Sequence, residues 1–436
     1  MATLNKLSRV AQPKTHEGAP ARRTDLVSQL ERSVMSCLLW EGEFYESGVT
    51  IANRIKDLCS KVPVEEVARI AIQAKRDMKL RHIPLLLTRE LARSKEGKAQ
   101  LKYVLPEVIL RPDDITEFLA IYWAEGKKPL AKQIKKHLGE TFKKFSEYQL
   151  QKYNGGSKAV KLRDAMRILR PKPDNKAQSD LWLRLIKGEM DTPDTWEVAI
   201  SATKDKKAEW TRLLTESKLG GLAMLRNLRN MRESSVSDKV IKDGIAAIDA
   251  GRLLPINFIN AAKHNPQYES QLEEKFFDCF GKEKVQGRTI ILVDVSGSMD
   301  WKLSSNSELA RLDVACSLAM IAREMFKDCR VFTFSSKLIE VPARRGFALR
   351  DAIINSQKHD STHLGQAVKD IVAMDSHDRL IVISDEQSSD KVPDIEGYMI
   401  NVASNRNGVG YGKWLHVDGW SDKVLDYIVY YENSME

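Results

Sequence analysis

Across the first two thirds of the chain, apolar residues recur at helical spacing. After Thr24 and Asp25, the positions Leu26, Leu30, Val34, Cys37 and Leu38 fall three or four apart and predict one buried stripe. Val67, Ile70, Ala71 and Ala74 repeat the pattern behind Pro63, Glu65 and Glu66, residue types that suit the free amides and positive end of a helix start. The same spacing predicts helices over 85–92, 100–109, 115–123, 129–138, 158–169, 178–186, 196–203, 207–214, 219–231, 237–250 and 255–260. With short loops and no strands between them, such helices bury their faces by stacking in pairs, which predicts a solenoid. No sequence repeat aligns at the HEAT or armadillo period.

The period changes near residue 285. A continuous β-branched apolar run over 289–295 predicts a strand covered on both faces, and 308–326 returns to helical spacing. Strands follow over 330–334, 338–341, 379–384, 398–402 and 415–417, with helices over 347–354, 364–374 and 421–430. Alternating strands and helices predict an α/β doubly wound, mainly parallel sheet of the Rossmann-like kind, whose ligands gather at the carboxyl ends of the strands. The expected division is a loose, flexible polar arm over 1–20, a helical region over 21–285 and an α/β domain over 286–436.

Composition and charge refine this picture. The 436 residues are 42% hydrophobic and 30% charged, which excludes collagen-like and wholly disordered chains. No apolar run approaches the length of a membrane span, and the first residues lack a signal-type apolar centre, so a cytoplasmic protein with no membrane contact is expected. Cys37, Cys59, Cys279, Cys316 and Cys329 are widely spaced, form no CxxC pair and read as reduced core thiols. The net charge of +9 is uneven: residues 1–285 carry 52 Lys+Arg against 38 Asp+Glu, and residues 286–436 carry 17 against 22. A basic body of this kind suits a polyanion partner, although diffuse positive charge also serves solubility.

The strongest local chemistry lies at the end of the first strand. In Asp294-Val295-Ser296-Gly297-Ser298, alternate spacing sets one carboxylate and two hydroxyls on the same side of a turn. Thr362, opening a Thr-x-x-Gly helix start, and Asp385, directly after the 380–383 apolar strand, bring further oxygens from neighbouring strand ends. Two carboxylates among hydroxyls favour Mg²⁺, or Mn²⁺, over zinc. The bland alternative is that Asp294 and Ser298 serve only as caps. These five residues resemble the metal-ion-dependent adhesion site of a von Willebrand factor A domain, and the resemblance covers roughly 286–436. In that family the metal mediates ligand binding and is not a hydrolytic centre. Family patterns place Gly or Asn after the last Asp, whereas here Glu386 follows Asp385.

The densest basic stretch runs over 127–176. It includes Lys152, Lys158, Lys161, Arg163, Arg167, Arg170 and Lys172, with Tyr148 and Tyr153 interleaved. The steps of four and three between Arg163, Arg167 and Arg170 predict one guanidinium face for a phosphate backbone, with the tyrosines as stacking platforms, against the plainer reading of a solvated helix face. The segments LPEVILRPDDITEFL, RDAMRILRPKP and LRNLRNM, placed ahead of the A-type domain, are similar to the Ro autoantigen family, a TROVE module joined to a von Willebrand A domain. That resemblance spans roughly residues 20–436. It implies a ring of HEAT-like helix pairs closed by the A domain, a ribonucleoprotein component that binds small Y RNAs on its basic outer surface and single-stranded ends of misfolded RNA in its hole. Bacterial relatives are associated with exoribonucleases in RNA quality control and decay. Relatives often carry histidines in the 163–173 segment and beside it, where this chain has Leu162 and Arg170.

The expected function is therefore noncatalytic RNA binding by a monomeric Ro-type protein, with small noncoding RNA, misfolded RNA and an exoribonuclease as expected partners. Two alternatives stand beside it. One is a metal-dependent nuclease at Asp294, with His363 as the nearby base, although two-metal chemistry calls for more carboxylates than this site offers. The other is a protein-adhesion module acting through the metal. No HExxH or GxSxG motif occurs, and GKEKVQGRT (281–289) lacks the spacing and lysine of a phosphate-binding loop.

Overall fold

A run of helices from Leu26 to Phe277 precedes a six-stranded sheet in the computed structural model. The structure describes all residues except 1–13, 16–17, 21–24, 37–47, 77, 79, 156–158, 281–282, 304–308, 375, 404–406, 420–422 and 436. The helix Val64–Arg76 shows how local sequence sets these elements: Glu65 and Glu66 occupy its first turn, Lys75 and Arg76 its last, and Val67, Ile70, Ala71 and Ala74 form its buried face. Lys75 is buried with them and pairs with Asp114 at 2.9 Å.

Three helices, Gly48–Cys59, Glu147–Tyr153 and Glu269–Phe277, lie where none is predicted. Gly48–Cys59 buries Ile51, Ala52, Ile55 and Leu58 at helical spacing, but its Gly48-Val49-Thr50-Ile51 opening has poor intrinsic helix propensity. Glu147–Tyr153 is short, and its signal is the capping box formed by Ser146 and Gln149. The helix expected over 158–169 begins only at Leu162, with Asp164 accepting from the Lys161 amide.

The strands are β1 (Val285–Asp294), β2 (Phe326–Phe334), β3 (Leu338–Glu340), β4 (Arg379–Ser384), β5 (Gly397–Asn401) and β6 (Trp414–Asp418). Their order is β3-β2-β1-β4-β5-β6, parallel throughout except for the antiparallel β2/β3 pair. β4 is buried along its whole length and β1 over its last six residues, which accounts for their unbroken apolar runs. Helix Arg311–Met325 connects β1 to β2, and helices Gly346–Ile354 and Leu364–Met374 lie between β3 and β4. The chain therefore leaves β1 in one direction and returns at β4 on the other side, so the crevice between their carboxyl ends is a topological switch point.

The cores do not change where the secondary structure does. Residues from Leu30 to Leu185 form one hydrophobic cluster. From Trp210 onward, the helices share a single core with one face of the sheet, through Ile256, Phe258, Phe276, Val314, Leu318, Phe347 and Ile428. The opposite face has its own cluster around Ile290, Leu292, Leu364 and Val382.

The helical region meets the sheet domain at both of its ends. Helix Pro255–His264 packs on Arg311–Met325, and Glu269–Phe277 packs on Gly346–Ile354. Lys263 pairs with Asp313 at 3.0 Å, and the Phe347 amide donates to Glu273 at 2.7 Å. At the other end, helix Leu26–Ser36 packs against β6. The circuit of contacts is thus closed. Within the N-terminal stretch read as a loose arm, Lys14 and Pro20 pair across a turn, Thr15 is buried and donates to the Ser388 carbonyl at 2.8 Å, and Asn407 donates to Lys14 at 3.0 Å.

Candidate metal centre and nucleic-acid interface

The switch point carries four of the predicted metal ligands on the ends of β1 and β4, and the Thr362 loop is tied beside them through its carbonyl, which accepts from Ser388 and Ser389. Asp294 ends β1, Ser296 and Ser298 lie in the turn behind it, Asp385 follows β4, and Thr362 comes from the loop before helix Leu364–Met374. Asp294, Ser296 and Asp385 are fully buried, and Thr362 nearly so. Asp294 accepts from the Ser296 amide at 2.9 Å and from the Ser384 hydroxyl at 2.7 Å, while the Ser296 and Ser298 hydroxyls lie 3.2 Å apart. Thr362 Oγ1 has no hydrogen-bond partner among the described residues. Gly297 lets this turn pass close to the 359–360 backbone; its amide donates to Asp360 at 3.1 Å, and a Cβ there would come within 3.3 Å of the His359 carbonyl.

Electrostatics favour a cation at this crevice. Burial first, and the neighbouring Asp385 second, push the Asp294 carboxyl up to about 7. A hard divalent ion would favour the ionised carboxylate against both effects. The chain already supplies one cation: Arg311, buried at the start of its helix, reaches Asp385 at 3.3 Å. Two carboxylates and three hydroxyls match the hard-oxygen preference of Mg²⁺, although among the described residues no group of three or more His, Cys, Asp and Glu side chains that could hold a metal comes together, at this crevice or elsewhere.

The Thr-x-x-Gly spacing has a physical cause. The Gly365 and Gln366 amides both donate to Asp390 at 2.7 Å, tying the loop after β4 to the helix that carries Thr362. A Cβ on Gly365 would lie 2.2 Å from the Lys391 carbonyl oxygen. Gly365→Ala is accordingly expected to lower stability by about 1–3 kcal/mol, measured by urea unfolding.

Glu386 takes no part in the crevice. It adopts a left-handed φ of 57°, the conformation that favours Gly or Asn. Its buried carboxylate meets His416 Nδ1 at 2.6 Å, Arg32 Nη1 at 3.6 Å and the Gly410 amide at 3.2 Å. Burial alone would raise this carboxyl, but His416 and Arg32 outweigh it and hold it at about 2. Side chains at Gly408 or Gly410 would collide with Glu386, so the glycines at 408 and 410 are its housing. Arg32 also bonds the Tyr411 hydroxyl, and the Tyr411 and His416 rings stack at 4.8 Å. A residue of the first described helix is thereby locked into the loop beside the predicted metal ligands.

His359 is held between Asp300 at 2.8 Å and the Ile354 carbonyl at 3.0 Å, a structural bridge at the rim. His363, the residue a nuclease reading needs, is exposed, with its main-chain amide bound to Ser335.

The basic surface is assembled differently from the sequence expectation. Helix Leu162–Leu169 buries Leu162, Ala165, Met166 and Leu169 and leaves Arg163 and Arg167 exposed on one face. Arg170 does not extend that face: it is the left-handed C-cap, with φ 50°, because Pro171 behind it disfavours helical backbone. Arg170, Lys172, Lys161 and Lys152 remain exposed, and Lys158 lies outside the described residues. Arg167 donates to the Ile186 carbonyl at 3.3 Å, Arg163 lies 3.9 Å from Asp164, and Lys152 sits over the Tyr153 ring at 5.8 Å. Lys143 is neutralised by Glu140 and Asp174. A pair missed by the density of basic residues lies nearby: Tyr103 is 60% exposed, with Lys102 over its ring at 4.4 Å.

Residues 184–290 match the TROVE domain family. The match covers about a quarter of this chain. The chain's fold is that of the Ro (RSR) protein of Deinococcus radiodurans, which matches with a TM-score of 0.59 and 17% identity over 91% of this chain and 96% of the other. An aerotolerance-related membrane protein from Bacteroides fragilis, carrying multiple mutations to serines, matches 27% of this chain and 67% of its own at 15% identity and a TM-score of 0.22, too little to carry an argument. No curated protein matches the chain in sequence. The helical region and α/β domain are joined as in the Ro fold, and no helix among the described residues is long and apolar enough to cross a membrane.

Proposed function

We propose that this chain is a noncatalytic RNA-binding protein of Ro type, holding small structured RNA on its basic outer face and single-stranded RNA ends within the helical circuit. The observation that carries the reading is the TROVE match within a chain whose helical region presents Arg163, Arg167, Lys161, Lys152 and Lys172 to solvent. Exposed cations of this kind grip phosphates irrespective of sequence. Misfolded or Y-like noncoding RNA is the expected cargo, and an exoribonuclease acting on a presented end is the expected partner.

Asp294, Ser296, Ser298, Thr362 and Asp385 would hold Mg²⁺. The ion would supply a hard docking point for an oxygen ligand of a partner, while Arg311 holds Asp385 in place.

The experiment is RNA binding followed by fluorescence anisotropy across a salt series. Affinity for single-stranded RNA is expected to fall with a log-log slope of about 0.7 per phosphate contacted, and Arg163→Ala with Arg167→Ala to flatten that slope by roughly one such contact each. Binding that ignores salt overturns the proposal. Labelled RNA incubated with the protein and Mg²⁺ is expected to stay intact; turnover abolished by Asp294→Ala would establish the nuclease reading instead.

A further inference from the structure

One motif of the sequence, LRNLRNM over 225–231, has no role in the site described above. It lies within the TROVE-matched segment, on helix Gly221–Glu233. Leu225, Leu228 and Met231 are buried in the core, whereas Asn227 and Asn230 line a cleft of about 570 Å³. That volume is in the range of small-molecule sites.

The walls of this cleft have a specific chemistry. Trp196 and Trp210 form one side, stacked at 5.9 Å with an interplanar angle of 24°; Trp210 is buried and Trp196 half-buried. The inner indole thus fixes the outer one, leaving a rigid aromatic surface at low entropic cost. Lys204, Lys206 and Lys207 stand at the mouth, exposed and without a carboxylate partner among the described residues. Two carboxylates also line the cleft, and both are engaged: Asp205 accepts from the Ala208 amide at 3.0 Å, and Glu233 lies 3.6 Å from Arg229. Also in the lining, Asn230 donates to the Asn227 oxygen at 2.9 Å, and Asn227 donates to the Ala223 carbonyl at 2.9 Å. This chain fixes the orientation of both amides. It occupies one hydrogen of Asn230 and leaves its carbonyl oxygen and second hydrogen for a ligand.

An aromatic plane, an amide with a donor and an acceptor to spare, and three unpaired ammonium groups at the rim match the parts of a nucleotide: base face, base edge and phosphate. We infer that the Trp196/Asn230/Lys204–Lys207 cleft is a subsite for one unpaired nucleotide of an RNA strand, separate from the Arg163/Arg167 face. The inference rests on the RNA-binding reading and adds a second contact point, one that selects single-stranded over paired RNA because a base in a duplex cannot present its face to an indole.

The test uses the full chain and three probes: a fluorescein-labelled single-stranded RNA 10-mer, a blunt RNA duplex of the same length, and AMP. Two variants report on the cleft, Trp196→Ala, and the triple change Lys204→Ala, Lys206→Ala, Lys207→Ala, whose positions are all exposed. Each is expected to weaken the single strand about tenfold and leave the duplex unchanged, and ultraviolet crosslinking of the wild-type complex is expected to mark peptides containing Trp196 or Asn230. Single-strand affinity unchanged in both variants, with crosslinks only in the 152–172 region, overturns the cleft assignment while leaving the RNA-binding reading intact. AMP binding as tightly as the 10-mer and displacing it would make this a free-mononucleotide site and overturn the strand assignment. No binding of any RNA by the wild type would defeat the broader reading first.

Discussion

Replacing Arg32 with Met is expected to cost about 3–5 kcal/mol of stability, because it strands the buried Glu386 carboxylate without its guanidinium partner. The loss should appear in urea unfolding as a lower midpoint, and native-state hydrogen exchange should show faster exchange in helix Leu26–Ser36, which packs on β6. Glu386→Gln alone should be similarly harmful, leaving Arg32 and His416 facing each other across a neutral amide. The informative measurement is the double variant. If the two charges serve each other, Arg32→Met with Glu386→Gln should be less destabilised than the sum of the single changes by more than 1 kcal/mol. Additive effects would show that the pair is not a coupled latch.

The second large effect concerns the crevice at the carboxyl ends of β1 and β4. Mg²⁺ at a hundredfold excess over its Kd contributes about 2.7 kcal/mol to the folded state, which for a chain of this size corresponds to a rise in Tm of roughly 3 °C. Calorimetry with and without Mg²⁺ should show this rise in the wild type and lose it in Asp294→Ala and Ser296→Ala. Mn²⁺ should substitute for Mg²⁺, given the all-oxygen donor set. A wild-type Tm indifferent to both ions would leave the five residues with the capping role that Asp and Ser often fill. Arg311→Ala discriminates further, since Asp385 would then depend on the ion alone, and the increment from Mg²⁺ should grow.

The candidate metal loop, as an arrangement of oxygens at strand ends, was legible because its information is local. Asp294, Ser296 and Ser298 declare themselves by spacing, and the apolar runs before Asp294 and Asp385 place both at strand ends. Arg311 was not legible: only the docking of its helix onto the sheet brings its guanidinium to Asp385, and nothing in the residues beside it signals that. Glu386 stood out as a departure at a position suited to Gly or Asn, but its partner Arg32 lies at the other end of the chain, beyond any pattern reading. Arg170 shows the limit of periodicity. Steps of four and three place it on a face with Arg163 and Arg167 only if the helix continues, and Pro171 ends it. The tryptophan cleft was overlooked because density of basic residues over a long window favours 127–176, whereas Lys204, Lys206 and Lys207 are few and gain meaning only beside Trp196.

The seating of helix Leu26–Ser36 against β6 bears on how the molecule is made. β6 leaves the ribosome about 380 residues after that helix does, a delay of roughly 20–75 s at ordinary elongation rates. Closure of the circuit must therefore be among the last events of biogenesis, and until then the nascent helical segment is an open arc into which an RNA end can be laid without threading.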